Sequence, residues 1–529
     1  MDNWHKIKVS SKILGHISAG IYRSPAGAIK ELVSNAFDAD ATRVAITTNW
    51  PSFDIITCRD NGTGMTQQKF KEIMDREIGD STKRVAANGD INDLTNLERP
   101  IIGWLGIGML GIAQICHEFQ VISHHKETKT AFKANVQLAD FLREKVKDIT
   151  PNQDPERPIG VGRFNIDEVD YDPDSAGTYM IASDMRSAFV KKFRDSSGDD
   201  PLPSKFSEFL KEIHLARSVK SLSEYWQMIW ELTVACPLPY KDDGPFDWSN
   251  IVEVEPKFKN WLTQLQQSLI TYQFEVVIDG LSLRRPNQYP LASPQTGKQE
   301  QTTGQLFFLN ENSAVYGKPF KLSGYIYLQN SRAVEPMELR GLLVRIRNIA
   351  IGTYDPTLFG FPQVPSPRFN WLSGEIYVEE GLEFALNIDR DSFNEMHPHF
   401  VKLREVIHNL LKDKVFPAAS LGQRTRTQEK QENRQNEKRT KLESLIHQEL
   451  GDNYVLASSD EQRFPLTIDT DQNLLFVNNQ SELLPNSKSK RELVQFVAHA
   501  FEMSMLVPEN ERREKFYQLL SDFTKFGLL

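Results

Sequence analysis

Apolar positions in the first 185 residues recur at two periods. Between residues 25 and 40, Ile29, Leu32, Val33 and Ala36 mark one side of a 3.6-residue turn, and Ser24-Pro25 is an N-cap and first-turn pair, so a helix is predicted there. Runs at 43–48, 54–59, 119–123, 131–136, 162–166 and 178–183 read as strands. They predict an α/β unit, a mixed sheet with helices on one face. Residues 186–245 read as mostly helical apart from a polar loop at 196–204. A second α/β region follows, with strands at 274–278, 305–309, 325–328 and 342–351 and a helix from about 398 to 414. Apolar side chains then nearly vanish: Arg424 to Lys441 holds seven basic and three acidic residues, a solvated helix or linker with nucleic-acid contact as the alternative. The expected domains are 1–245, 246–415, a charged linker at 416–448 and a small module at 449–529, with no internal repeat.

Composition narrows the class. The 529 residues, 40% hydrophobic and 25% charged, with mean hydropathy −0.45, describe an ordinary soluble globular chain of roughly three to four domains. A formal charge of −9 argues against coating nucleic acid with the whole surface and leaves a local basic patch open. Cys58, Cys116 and Cys236 are too scattered for a disulfide framework or a zinc site, so a reducing, cytoplasmic location is expected. The N-terminus lacks the apolar stretch of a secretory signal. Residues 101–116 form an apolar run with one polar side chain and four glycines. It is shorter than the ~18 residues a membrane span needs, and reads as a glycine-rich loop leading into a buried helix.

Three constellations carry candidate chemistry. Glu31, Asn35 and Asp38 stand at i, i+4 and i+7, within about 60° of one another around the predicted helix; by itself this is also the wet face of an amphipathic helix. An apolar strand then delivers Asp60 into Asn61-Gly62-Thr63-Gly64, a sequence that elsewhere is simply a hairpin turn. The third is Gly103-Trp104-Leu105-Gly106-Ile107-Gly108-Met109-Leu110-Gly111, where glycines allow close backbone approach and the helix start offers N–H groups to a phosphate. Gly106, Gly108 and Gly111 also spell a dinucleotide-binding G-x-G-x-x-G, although it sits about 100 residues into the domain. A Walker A sequence is absent.

In order and spacing, residues 30–39, then 60–65, then 103–111, then Gly177-Thr178 resemble the four nucleotide-binding motifs of the GHKL ATPases, the superfamily of gyrase, heat-shock-ninety chaperones, histidine kinases and MutL. The resemblance implies a Bergerat α/β sandwich that binds ATP and Mg²⁺. It implies Glu31 as general base for the attacking water, Asn35 as the Mg²⁺ ligand and Asp60 as the adenine reader, with Thr178 in the same hydrogen-bond network. Gly62, Gly64 and Met65 would shape the turn beneath the base. The backbone of Gly103, Gly106, Ile107, Gly108 and Met109 would cradle the phosphates, and Ser81 and Lys83 would begin a mobile lid. Asp38 is as well explained by a structural role as by ligand contact; His117, His124 and His125 read as structural or solvent-facing.

Residues 342–349, 374–378 and 386–391 resemble the middle domain of the heat-shock-ninety chaperones, which implies that Arg390 senses the ATP γ-phosphate. The bland alternative is a surface arginine paired with Asp389 and Asp391. Lys83 and Arg332 are weaker candidates for phosphate contact. The chain departs from its relatives in lacking a phosphoacceptor helix and a metal-binding toprim module, and its charged stretch lies after the second region. The expected function is an ATP-driven conformational switch acting on a protein client or within an assembly, with a possible ATP-dependent homodimer and no membrane partner. The alternatives are a MutL- or MORC-like DNA clamp using residues 424–441, and a regulatory ATPase of a prokaryotic defence system. A dinucleotide-dependent enzyme is the fourth reading.

Overall fold

The first helix begins where the cap chemistry predicts. Ser24 is extended, with φ −145° and ψ 157°, its Oγ accepts from Gly27 N, and Pro25 opens the helix. The apolar stripe Ile29, Leu32, Val33, Ala36 and Phe37 is buried. In the computed structural model the described residues are 5–9, 24–75, 94–101, 111–112, 114–138, 159–197, 203–242, 244–252, 254–289, 303–329, 333–362, 367–387 and 391–421, and towards the C-terminus 440, 455–458, 466–469, 474–477, 497, 499–501 and 503–525.

Two compact units divide at Ser420/Leu421. The first contains β1 (His5–Val9), α1 (Pro25–Asp38), β2 (Arg43–Thr47), β3 (Ile56–Asp60), α2 (Gln67–Asp75), β4 (Cys116–His125), β5 (Thr130–Leu138), β6 (Ile159–Val169) and β7 (Gly177–Met185). Next come α3 (Ser187–Ser197), α4 (Phe206–Ala216), α5 (Glu224–Ala235), β8 (Ile251–Val252), α6 (Pro256–Thr271), β9 (Glu275–Ile278) and β10 (Leu281–Ser282). The unit continues through β11 (Gly304–Val315), β12 (Lys318–Gln329), β13 (Gly341–Ile346), β14 (Ile349–Asp355), β15 (Leu372–Glu380) and α7 (Pro398–Leu410).

A nine-stranded sheet runs β1-β6-β5-β4-β7-β3-β2-β9-β10, antiparallel except where β9 lies parallel to β2, Arg43 opposite Glu275. A six-stranded sheet runs β14-β13-β15-β12-β11-β8. The protein is thus mixed α/β, as its alternating patterns predict. Sheet membership does not follow the boundary drawn at 245/246, since β9 and β10 from the second stretch complete the first sheet while β8 pairs with β11. A crossover of this kind leaves no local mark: α6 reads as any helix, and the strand after it can pair with either sheet.

Helix α5 is buried almost all round, through Tyr225, Trp226, Met228, Ile229, Trp230, Leu232, Thr233 and Val234, which places it inside the unit rather than on its surface. It packs on α1, α3 and β14. The run 342–351, read from sequence as one strand, is a hairpin: Arg347 and Asn348 both adopt left-handed conformations, φ 52° and 68°, and turn β13 into β14. Positive φ at both loop residues is the signature of a two-residue turn matched to strand twist, and Asn348 is a residue that tolerates it.

Beneath this hairpin lies a charged core. Arg345 on β13 and Glu375 on β15 are both fully buried, with Nη2 to Oε1 at 2.5 Å and Nε to Oε1 at 2.9 Å. Tyr240 and Tyr377 donate to Glu375 Oε2 at 2.5 and 3.0 Å, and Tyr354 to Oε1 at 3.2 Å. Burial pushes the Glu375 carboxyl up, but the guanidinium charges of Arg345 and Arg285 together with hydrogen bonds from Tyr240 and Arg345 outweigh it and hold it at about 2.

The second unit contains β16 (Val455–Ser458), β17 (Leu466–Asp469), β18 (Leu474–Val477) and α8 (Arg512–Lys525). Strand β18 is central, parallel to β16 and antiparallel to β17. Nearly all of 424–441 lies outside the described residues. Among the described residues no helix is long and apolar enough to cross a membrane.

Candidate functional site

Asp60 is the last residue of β3, so the strand alternation that buries Ile56 and Cys58 also carries its carboxylate to the sheet end. There Oδ1 accepts from Gly62 N at 2.8 Å and from Thr178 N, at the start of β7, at 3.3 Å. No hydrogen bond from a described residue reaches Oδ2, which leaves an acceptor for a ligand donor. Burial pushes the Asp60 carboxyl up to about 6, against the two backbone N–H groups and the nearby Lys126 ammonium, all of which favour the ionised form.

The turn after Asp60 is tied on every side. Asn61 Oδ1 accepts from Thr42 N and Arg43 N at 2.8 and 2.9 Å, Thr63 N donates to Ala39 O at 2.7 Å, and Lys126 Nζ donates to Asn61 O at 2.8 Å. Gly64 has φ +76°, and a Cβ there would stand 2.3 Å from His124 O. Gly177 has φ +119°, and a Cβ there would stand 2.2 Å from Asp60 O. The backbone approaches too closely at both for any side chain.

Met65 N donates to Ser123 Oγ at 2.8 Å, and that oxygen lies 3.2 Å from Thr178 Oγ1. Ser123 therefore joins the Asp60 turn to β7. It is absent from the sequence-based candidates, yet it had a signal: Phe119, Val121 and Ser123 face inward in alternation on β4, and a hydroxyl at a core-facing position needs a polar partner.

Glu31, Asn35 and Asp38 lie on α1, with Glu31 buried at 7% exposure and Asn35 exposed. The C-terminal end of α1 meets the turn directly, since Ala39 O accepts from Thr63 N. Asp40 accepts from Asn96 N and Leu97 N at 3.0 and 3.2 Å, and buried Arg99 donates to Ala41 O at 2.6 Å and to Tyr272 O. Neither Asp40 nor Arg99 carries a periodic or motif signal. Hydrogen bonds join Asp60, Gly62, Met65 and Thr178 around the β3 turn and β7, with Gly64 in the same turn, while Glu31, Asn35 and Asp38 share α1, which meets that turn at Ala39. Ser81, Lys83, Gly103, Gly106, Ile107, Gly108, Met109, Arg332 and Arg390 lie outside the described residues. Among the described residues no group of three or more His, Cys, Asp or Glu side chains could hold a metal ion.

Residues 22–172 match the family described as histidine kinase-, DNA gyrase B-, and HSP90-like ATPase. A putative type II restriction enzyme, HgiDII, of Herpetosiphon aurantiacus is 32% identical over 126 residues, 23% of this chain and 18% of that protein. The DNA mismatch repair protein MutL of Halothermothrix orenii is 30% identical over 127 residues, 24% of this chain and 18% of that protein. The chain thus spans less than a fifth of the length of these curated relatives. A solved N-terminal domain of a DNA repair protein aligns at 12% identity with TM-score 0.37, over 76% of this chain and 97% of that one.

Proposed function

From the match of residues 22–172 to the histidine kinase-, DNA gyrase B-, and HSP90-like ATPases, we propose that this protein binds ATP against the Asp60 turn and α1, hydrolyses it with Mg²⁺, and uses the cycle to switch between two conformations. When bound, ATP supplies the phosphoryl group whose transfer to water drives the switch. The carrying observation is Asp60: a partly buried carboxylate fixed by two backbone N–H groups, with its second oxygen left to accept from an adenine amine. Glycines at 64 and 177, where a Cβ would collide with the backbone of His124 and Asp60, let the turn and β7 pack closely around that carboxylate. Ser123 and Thr178 hold hydroxyls beside it.

Glu31 acts as the base that orients and deprotonates water, and its burial on α1 favours a carboxylate held in one direction. Asn35, one helical turn on, lends a neutral oxygen to Mg²⁺. Arg390 stabilises charge on the transferring group, as the heat-shock-ninety-like layout implies. The decisive test is Glu31→Ala, which abolishes phosphate release and retains ATP binding. Normal phosphate release by that variant removes Glu31 as the base.

The output is a conformational change delivered to a protein client or partner subunit, and the restriction-enzyme relative fits an assembly of the genome-defence kind. A second reading, an ATP-gated DNA clamp, is favoured by the MutL relatives. A gel-shift with salt titration separates them: a clamp loses DNA affinity steeply with salt, because phosphate contacts release counterions.

A further inference from the structure

Lys30 immediately precedes Glu31 on α1, about 100° further round the helix. Its ammonium lies 2.9 Å from Asp391 Oδ1 and donates to Ala350 O at 3.0 Å. Both side chains are largely out of water, at 12% and 21% exposure. An ammonium so placed must be paired to offset its lost hydration. Its partners come from the distant part of the chain: Ala350 is on β14 and Asp391 follows β15.

The same hairpin also reaches the other end of α1. Asn348 Nδ2 donates to Tyr272 OH at 3.1 Å, Tyr272 O accepts from Arg99, and Arg99 donates to Ala41 O. Arg347 donates to Ile101 O, and Asn348 O accepts from Arg285 at 2.9 Å. At the N-cap, Ser24 Oγ donates to Glu231 Oε2 at 2.5 Å. Burial raises the Glu231 carboxyl, Ser24 and Lys30 favour its charge, and Asp391 and Glu224 oppose it. Lys30 thus pairs directly with Asp391 and lies close enough to Glu231 for its charge to favour that carboxylate.

Resting on the ATPase reading, we propose that Lys30 is a positioning residue: by joining β14 and Asp391 to the helical turn that carries Glu31, it makes the direction of the Glu31 carboxylate depend on docking of the six-stranded sheet. Its loss lowers turnover and leaves adenine recognition at Asp60 intact, because the hydrogen bonds of Lys30 run to Ala350 and Asp391 and not to the Asp60 turn.

The experiment uses the full chain, with ATP binding measured by calorimetry, steady-state phosphate release, and thermal melts. Lys30→Met is expected to lower kcat at least tenfold with the ATP dissociation constant within threefold of wild type. Lys30→Arg should recover most of the rate, and Asp391→Asn should lower kcat in the same direction. If Lys30→Met does not fold, the comparison of Lys30→Arg with Asp391→Asn decides. An unchanged kcat in the Met or Asn variant, a loss that arginine does not rescue, or an equal loss of ATP binding overturns the proposal. Failure of the underlying reading looks different: wild type then releases no phosphate, or Glu31→Ala releases it normally.

Discussion

Asp60 offers a test in which stability and binding move in opposite directions. Burial raises its carboxyl from 3.8 to about 6, which at roughly 1.4 kcal/mol for each factor of ten is about 3 kcal/mol. The fold thus favours the protonated form. That stabilisation is complete below the unfolded value near 3.8 and is lost as pH rises through about 6, so at neutral pH the protein holds an ionised carboxylate at a cost. Asp60→Asn removes the charge and keeps an oxygen for the N–H groups of Gly62 and Thr178. At pH 7.5 the variant should melt no lower than wild type, with a gain below about 3 kcal/mol because Asp60 keeps some solvent contact. It should bind adenosine roughly ten- to a hundredfold more weakly, the cost of losing a hydrogen bond to a charged group. Adenosine is the better probe than ATP, since it has no phosphate that titrates near pH 6. Wild-type affinity should be flat above pH 7 and fall towards tenfold per pH unit below about 6, as Asp60 protonates. A variant that is less stable than wild type, together with adenosine affinity flat from pH 5 to 7.5, would refute the reasoning.

Gly177→Ala places a Cβ 2.2 Å from Asp60 O at φ +119°; the strained backbone alone costs about 1–3 kcal/mol, read as a lower melting temperature with weakened nucleotide binding. Arg345→Met leaves buried Glu375 without its direct ion-pair partner, with only Arg285 and the tyrosine hydroxyls to offset its charge, and should cost about 3–5 kcal/mol in urea unfolding, much of it recovered in Arg345→Met/Glu375→Leu; a single-variant loss under 1 kcal/mol would contradict the charged core described. Arg390→Ala should lower turnover without changing ATP affinity in the full chain, and unchanged turnover would make Arg390 structural.

The parts of the site legible in sequence are those whose cause is local. A cap and a 3.6-residue stripe specify α1, and with it the common face of Glu31, Asn35 and Asp38. An apolar strand ending in Asp-Asn-Gly-Thr-Gly specifies where Asp60 emerges, and Gly64 and Gly177 are glycines because backbone packs against them. The 342–351 hairpin was harder to read, because its turn residues are Arg347 and Asn348 rather than a glycine pair.

What the sequence determined by itself was therefore the α/β class, the helix and turn that meet at Asp60, and their likeness to an ATPase. Tertiary structure alone decided that β9 closes the first sheet beside β2, that Ser123 joins Met65 to Thr178, and that Lys30 meets Ala350 and Asp391. The physical reason is range: caps, turns and stripes act within a few residues, whereas strand order and buried charge pairing depend on groups brought together only when the whole core closes.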